Sequence, residues 1–464
     1  MSYSTLTSVI YNSGIFWLCL WVYLSVMCGL FVVSAVSTVA NVRLGFVLRL
    51  YTTLLLKVFA WGVRHTRIYD EEEEQAQSVS PRSKVRSTVE HKLIHKGAVD
   101  ALKRKLHQTN DKNDREAIGF VQVITDDILD YFTAGFETVI QDEIGTAFES
   151  EELPCWNLLS RTRRAYPYMK KRLRWFWICG FVLRYFFLLP VRSALLLSAL
   201  VVLCVGAAAI GLVPSALRYK VATICSLVCF RLAGKAVSAL VRYHNPENRP
   251  KGGGVCVANH TSPFDVMVLN CDTCYSLTGQ KHPGMLGLIG KTVCRLMPLH
   301  LWFERSDPEQ RKLVVEKMKE HLLDLEKPPI LIFPEGVCVN NTAVVLFRKG
   351  CFEAATTVYP VAIRYDAKFC DPFWFQNTWL LYLFDVMTSW CLVCDVWYLP
   401  PMYSTSEQTA AEFADEVKAA ISEAAGLRFL AWDGRMKQYV VKQKHFIEDE
   451  QRKYSQRLLF QTAF

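Results

Sequence analysis

The sequence predicts an α/β domain attached to N-terminal transmembrane or interfacial helices, and three observations predict it. Half of the 464 residues are hydrophobic (51%), and they are unevenly spread. Residues 14–36 carry no charge and residues 175–213 are strongly apolar, when about 20 apolar residues suffice for a helix to cross a bilayer. From Gly252 onward the pattern changes. Short runs of strand character at 255–258, 330–333 and 358–363 alternate with helical spacing, as in the charged stretch 308–325, and that alternation marks an α/β sheet.

Taken in order, residues 1–62 form an N-terminal membrane segment followed by an interfacial helix. The run 14–36 has no basic region before it and no small-residue cleavage site, so it reads as an anchor rather than a signal peptide. Arg43, Arg49, Lys57 and Arg64 follow and place the downstream side in the cytosol. Residues 44–61 space basic residues among leucines and aromatics, the pattern of a helix lying in the interface. Residues 63–174 form a polar, partly disordered cytosolic region, with an acidic run at 71–74, a Ser-, Pro- and Arg-containing stretch at 78–88, and apolar spacing returning near Phe120. Basic residues at 161–174 then abut the block 175–213. Pro190 and Arg192 divide that block and Arg218 and Lys220 lie beyond it, so it reads as a hairpin or re-entrant pair with both ends in the cytosol. Residues 220–243 read as an amphipathic helix. The α/β domain occupies 214–402, and 403–464 form a C-terminal helical extension.

The net charge of +9 suits anionic lipid or a phosphorylated substrate. No finger, helix-turn-helix or RNA-binding signature accompanies it, so nucleic acid is not an expected partner. Of the 16 cysteines, many lie in apolar runs, where a thiol acts as a small hydrophobe. Cys271/Cys274 and Cys391/Cys394 have metal-like spacing without a His-x-His partner, so free thiols and no metal site are expected.

The spacing His-x-x-x-x-Asp occurs three times, at His65/Asp70, His95/Asp100 and His260/Asp265. Only the third follows a strand-like run and precedes a helix start at Ser262-Pro263, the place where rigid elements hold a functional loop. Histidine titrates near neutral pH and can take the proton of an attacking hydroxyl. A carboxylate on its other ring nitrogen fixes the tautomer and stabilises the imidazolium.

Four ordered blocks accompany this pair: 259–265 (Asn-His-Thr-Ser-Pro-Phe-Asp), 302–306 (Trp-Phe-Glu-Arg-Ser), 333–336 (Phe-Pro-Glu-Gly) and 359–363 (Tyr-Pro-Val-Ala-Ile). In these the chain resembles the glycerolipid acyltransferase family. The stretches 156–162, 247–250, 338–342, 397–402 and 432–434 make it most similar to the endoplasmic-reticulum glycerol-3-phosphate acyltransferases.

The resemblance implies that 214–402 is an acyltransferase domain facing the cytosol from the endoplasmic reticulum membrane. It implies acylation of the sn-1 hydroxyl of glycerol 3-phosphate by acyl-CoA as co-substrate, without an acyl-enzyme, a cofactor or a metal. His260 is then the general base and Asp265 its orienting partner. Arg305 binds the acceptor phosphate by bidentate bonding. Glu335 and Gly336 shape the acceptor pocket, Glu335 also as a holder of a hydroxyl, and Lys349 is a second contact for phosphate or coenzyme A. The chain departs from the family at Val337, where a Thr is usual, so a lysophospholipid acceptor such as lysophosphatidic acid stays open. A membrane scaffold that keeps the fold without catalysis is the alternative, and the presence of His260 and Asp265 speaks against it. The sequons at Asn259 and Asn340 fall inside the proposed site, which suits a cytosolic domain.

Overall fold

The computed structural model describes residues 3–40, 45–78, 147, 148, 150, 156–159, 171–281, 283–303, 307–355, 357–375 and 378–434. The chain divides into two compact units, residues 1–63 with 150–434, and residues 64–149 with 435–464. The sheet, the long apolar segments and the His260–Asp265 pair belong to the first.

Helices α1 (Tyr3–Val39) and α2 (Gly45–Ser78) open the chain. Their stretches Trp17–Val39 and Gly45–His65 are each long and apolar enough to cross a membrane. The second therefore exceeds what the interfacial helix expected at 44–61 requires. Much of the region 63–174 lies outside the described residues, including the stretch near Phe120 where apolar spacing returns. Residues 156–159 do not fit a solvated region: Trp156 and Leu158 are buried against Leu55, Phe59, Phe369 and Trp390.

The block 175–213 is not a hairpin divided at Pro190. Helix α3 (Lys171–Val182), a π-helical stretch (Leu183–Leu188) and α4 (Leu189–Ala209) follow one another without a break, giving an apolar segment of 42 residues, Lys171–Leu212. At 1.5 Å per residue it is roughly 60 Å long, about twice a hydrocarbon core. Proline usually breaks a helix because it lacks an N–H for the carbonyl four residues back. Here the wider π turn precedes it, and the orphaned Phe186 carbonyl accepts a hydrogen bond from the Tyr23 hydroxyl of α1 at 2.6 Å. Arg192 does not mark a polar turn either. It is buried, and its guanidinium donates to the carbonyls of Met387, Ser389 and Trp390.

The chain reverses instead at Val213–Pro214. Helix α5 (Ser215–Ala236) packs back along α4, with Leu195, Ala199, Leu203 and Ala207 against Ala222, Cys229, Leu232 and Ala236. The helix expected over 220–243 stops at Ala236. Ser238 adopts a left-handed φ of 50°, which ends the helix, and Leu240–His244 becomes strand β1.

Strands β1, β2 (Val255–Ala258), β3 (Ser276–Gln280), β4 (Leu301–Phe303), β5 (Ile330–Ile332), β6 (Ala343–Val344), β7 (Thr357–Tyr365), β8 (Val393–Tyr398) and β9 (Met402–Tyr403) follow. All but β6 form one sheet, ordered β1-β8-β7-β2-β5-β3-β4, with β9 beside β7. The pairs β7–β2, β2–β5, β5–β3 and β3–β4 are parallel, whereas β8 and β9 run antiparallel to β7. The crossovers from β2 to β3, from β3 to β4 and from β4 to β5 are helical: α6 (Phe264–Asp272), α7 (Gly284–Leu296) and α8 (Pro308–Leu322). The central strand β2 is buried throughout, as an all-apolar Val-Cys-Val-Ala strand must be when both faces are covered.

One face packs Val268, Leu269, Tyr275 and Tyr382 against the strands. The other packs Phe413, Val417 and Ile421 of α10 (Ala410–Ala425), which follows α9 (Trp379–Thr388). The expected boundary at 402 is thus misplaced. Helix α10 begins with a Thr409–Glu412 capping box, covers the sheet, and leads into β10 (Arg428–Phe429), which pairs with β6. Residues 403–434 complete the α/β domain, and the rest of the expected extension lies outside the described residues.

Candidate active site

Strands β2, β5 and β7 are parallel neighbours, so their C-terminal ends share one edge of the sheet, the usual place for a site in such folds. His260 follows β2, Glu335 follows β5, and Tyr365 ends β7. The sequence made β2 too apolar to leave the core and put polar residues directly after it, so the chain turns polar where it leaves the sheet.

Asp265 is fully buried at the first turn of α6. Its Oδ2 accepts three hydrogen bonds, from His260 Nδ1 at 2.9 Å and from the backbone N–H groups of Thr261 and Ser262 at 2.8 and 2.9 Å. Its Oδ1 accepts from the Tyr365 hydroxyl at 2.5 Å. Four donors, two of them backbone N–H groups of the loop leading into α6, hold the carboxylate in one position, and its place in the first turn of that helix further offsets the cost of burying it. Ser262 Oγ accepts from Phe264 N–H at 3.0 Å and meets the Tyr382 hydroxyl at 2.6 Å, which fixes the loop from the side of α9.

His260 is held through both its ring and its backbone. Its ring stacks on Phe333 with centroids 4.3 Å apart, and its carbonyl accepts from Val339 N–H at 2.8 Å. Nδ1 is bound to Asp265, so the lone pair of the neutral ring falls on Nε2, which faces Cys338 Sγ at 3.5 Å. Burial alone would lower the imidazole pKa; the Cys338 sulfur and the hydrogen bond and charge of Asp265 outweigh it and push the group up, to about 10.

Glu335 is buried behind this ring. Its Oε1 accepts from His260 N–H at 2.7 Å and its Oε2 from Val345 N–H at 3.1 Å, so both oxygens tie backbone segments together. Burial pushes its carboxyl up to about 8, against the pull of those two donors. Gly336 continues the turn with φ of 71°, a conformation only glycine takes without strain, and its N–H returns to the Phe333 carbonyl. Val337 lies against Gly434, where any added Cβ would collide with its methyl group. Position 337 is therefore a packing contact with Gly434.

The structure brings His260, Asp265, Glu335 and Gly336 together. Lys349 stands one residue from the segment touching this turn, since Arg348 N–H donates to the Pro334 carbonyl. Its own ammonium is exposed and paired with Glu353 at 3.0 Å. Arg305 lies outside the described residues. Both sequon asparagines are buried: Asn259 exchanges two hydrogen bonds of 2.8 Å with the backbone of Ile363, and Asn340 caps Thr342.

Sequence reasoning missed Tyr365, Cys338, Phe333 as a stacking partner, and Tyr382. Tyr365 stands two residues after the 359–363 block, and Cys338 directly after Val337, so proximity to a motif was the available signal. The site has no group of three or more His, Cys, Asp or Glu side chains placed to hold a metal among the described residues.

A histidine oriented by a buried carboxylate at the C-terminal edge of a parallel sheet can serve as a general base toward a hydroxyl. The acyltransferase family model matches residues 240–364, from β1 through all but the last residue of β7, and this defines the class: the chain contains an acyltransferase domain. The chain is 40% identical over 417 residues to human glycerol-3-phosphate acyltransferase 4, covering 89% of each protein. It is 40% identical over 409 residues to glycerol-3-phosphate acyltransferase 3 of Xenopus laevis (87% of this chain, 88% of the relative). It is 39% identical over 411 residues to a glycerol-3-phosphate acyltransferase 3-like protein of Danio rerio (87% and 89%). The chain belongs to the glycerol-3-phosphate acyltransferase family and is an enzyme.

Proposed function

We propose that this enzyme transfers a fatty acyl group from acyl-CoA to the sn-1 hydroxyl of glycerol 3-phosphate at the endoplasmic reticulum membrane, with the catalytic domain in the cytosol. The observation that carries this reading is the His260–Asp265 pair, with Nδ1 bound at 2.9 Å and Nε2 directed away from the carboxylate. The relatives' names supply the acceptor. As the acceptor oxygen attacks the thioester carbonyl, its proton passes to His260 Nε2. Asp265 stabilises the resulting imidazolium, which then protonates the departing coenzyme A thiolate as the carbon–sulfur bond breaks. No acyl-enzyme forms, because the substrate's hydroxyl replaces the serine of a hydrolase. Arg305 takes the acceptor phosphate, Glu335 and Gly336 shape the loop that presents His260, and Lys349 is a further phosphate contact.

Purified protein with labelled acyl-CoA and a panel of glycerol 3-phosphate, lysophosphatidic acid and other lysophospholipids tests this. His260→Ala should lose about 10²–10⁴-fold in kcat, the usual worth of a general base. Equal activity in variant and parent would sink the mechanism. Val337, packed on Gly434 where the family carries a hydroxyl, favours keeping lysophosphatidic acid in that panel, and activity confined to lysolipids would replace the acceptor assignment.

A further inference from the structure

Helix α9 has two unlike faces. Tyr382, Val386 and Met387 are buried in the domain, whereas Leu380, Leu381 and Phe384 stand 58, 60 and 44% exposed on the other side. Phe375, just before the helix, is also exposed. An apolar face of this kind on a ten-residue helix is out of place in water unless something covers it.

Its surroundings identify the cover. On the apolar segment Lys171–Leu212, Trp177, Phe181 and Tyr185 stack one turn apart, with centroid spacings of 5.9 and 4.2 Å. The ladder continues onto α9, where Phe384 lies 5.9 Å from Tyr185. Along the same segment Trp175, Phe186, Leu197, Val201 and Val205 are exposed. The outer face of α9 therefore extends an apolar surface already long enough to meet a bilayer. The junction is rigid: Arg184 donates to the Thr388 carbonyl at 3.1 Å, and Arg192 to Met387 at 2.7 Å, so α9 cannot swing away from the segment.

We infer that α9 is a lipid-contacting helix of the catalytic domain, with Leu380, Leu381 and Phe384 seated in the acyl-chain boundary of the bilayer. This rests on the membrane association of the segment Lys171–Leu212. Interfacial helices bind in this way, with one apolar face sunk among headgroups and acyl chains and the polar face against protein or water. Asp385 stands exposed at the rim of the face, where a charge can stay hydrated. The opposite face reaches the reaction centre: the Tyr382 hydroxyl bonds Ser262 Oγ at 2.6 Å and the Pro372 carbonyl at 2.8 Å. A single helix thus touches lipid on one side and the His260 loop on the other, which sets the site within reach of an acyl chain lying in the membrane.

The test uses the full chain in phosphatidylcholine vesicles, with p-benzoylphenylalanine placed singly at Leu381, at Leu197 or at Glu416, which is exposed on α10. After illumination, mass spectrometry should find a phosphatidylcholine adduct at Leu381 and Leu197 and none at Glu416. An adduct at Leu197 without one at Leu381 would overturn the assignment of α9 while leaving the segment in the membrane. A crosslink from Leu381 to protein would overturn it in favour of a partner chain. Absence of lipid at Leu197 as well would remove the membrane reading on which the inference stands.

Discussion

Tyr365, at the end of β7, donates its hydroxyl to Asp265 Oδ1 at 2.5 Å, a hundred residues along the chain from the carboxylate it fixes. Burial and the neighbouring Asp265 charge hold the phenol well above its ordinary pKa, so it remains a donor throughout the working pH range. Tyr365→Phe should cost about 1.5–3 kcal/mol of stability, the usual loss for a hydrogen bond to a charged group. It should lower kcat with little change in KM, because the phenol acts through Asp265 on His260. Thermal unfolding and steady-state kinetics check both.

The Cys338 sulfur at Nε2 sets a pH dependence. A base must be neutral to accept a proton, so kcat/KM should rise as His260 loses its proton, along a limb displaced above the ordinary imidazole value of 6.5 toward about 10. Cys338→Ala removes a contribution that raises this pKa, so the limb should move to lower pH. A limb that stays in place would show that the thiol does not act on the imidazole.

Glu335→Gln should destabilise the protein by about 1–3 kcal/mol, since an amide nitrogen cannot accept and one of two buried N–H donors loses its partner. The pH dependence has a definite sign. With a carboxyl raised from 4.5 to about 8 in the folded state, the native contribution is fully present below 4.5 and is lost as pH climbs through 8. The variant should lack this decline, which unfolding measured across that range would reveal.

Arg192→Lys keeps the charge but not the fork that reaches three carbonyls at the end of α9. Each carbonyl left buried and unpaired costs about 1–3 kcal/mol, so the lysine variant should already unfold at lower temperature and Arg192→Met lower still. Detergent-solubilised protein followed by thermal unfolding gives the comparison.

Arg305→Ala should raise KM for a phosphorylated acceptor while leaving KM for acyl-CoA near the parent value. An unchanged acceptor KM would remove Arg305 from the phosphate site.

The sheet and the His–Asp pair were legible because their signals are local. An all-apolar four-residue strand, a turn, and a polar pair at a helix start occupy residues 255–265. What sequence alone obscured depended on distant partners. Pro190 reads as a divider until Tyr23, far earlier in the chain, satisfies the carbonyl it orphans. Arg192 reads as a turn residue until the carbonyls near 390 surround it. Residues 237–244 continue a helical spacing, yet the open edge of β8 offers backbone hydrogen bonds that a helix end cannot match. Tyr365 carried no signal of its own, because its role exists only once β7 lies beside β2.

The two hydrogen bonds between Asn259 and Ile363 make one amide a latch between two strands of the sheet. Both the donor and the acceptor of that amide are committed, and the side chain is buried. Any substituent on Asn259 Nδ2 would occupy the atom that must donate to Ile363, and β2 could not seat beside β7 at its C-terminal end. The position that opens the catalytic loop is therefore closed to covalent modification in the folded chain.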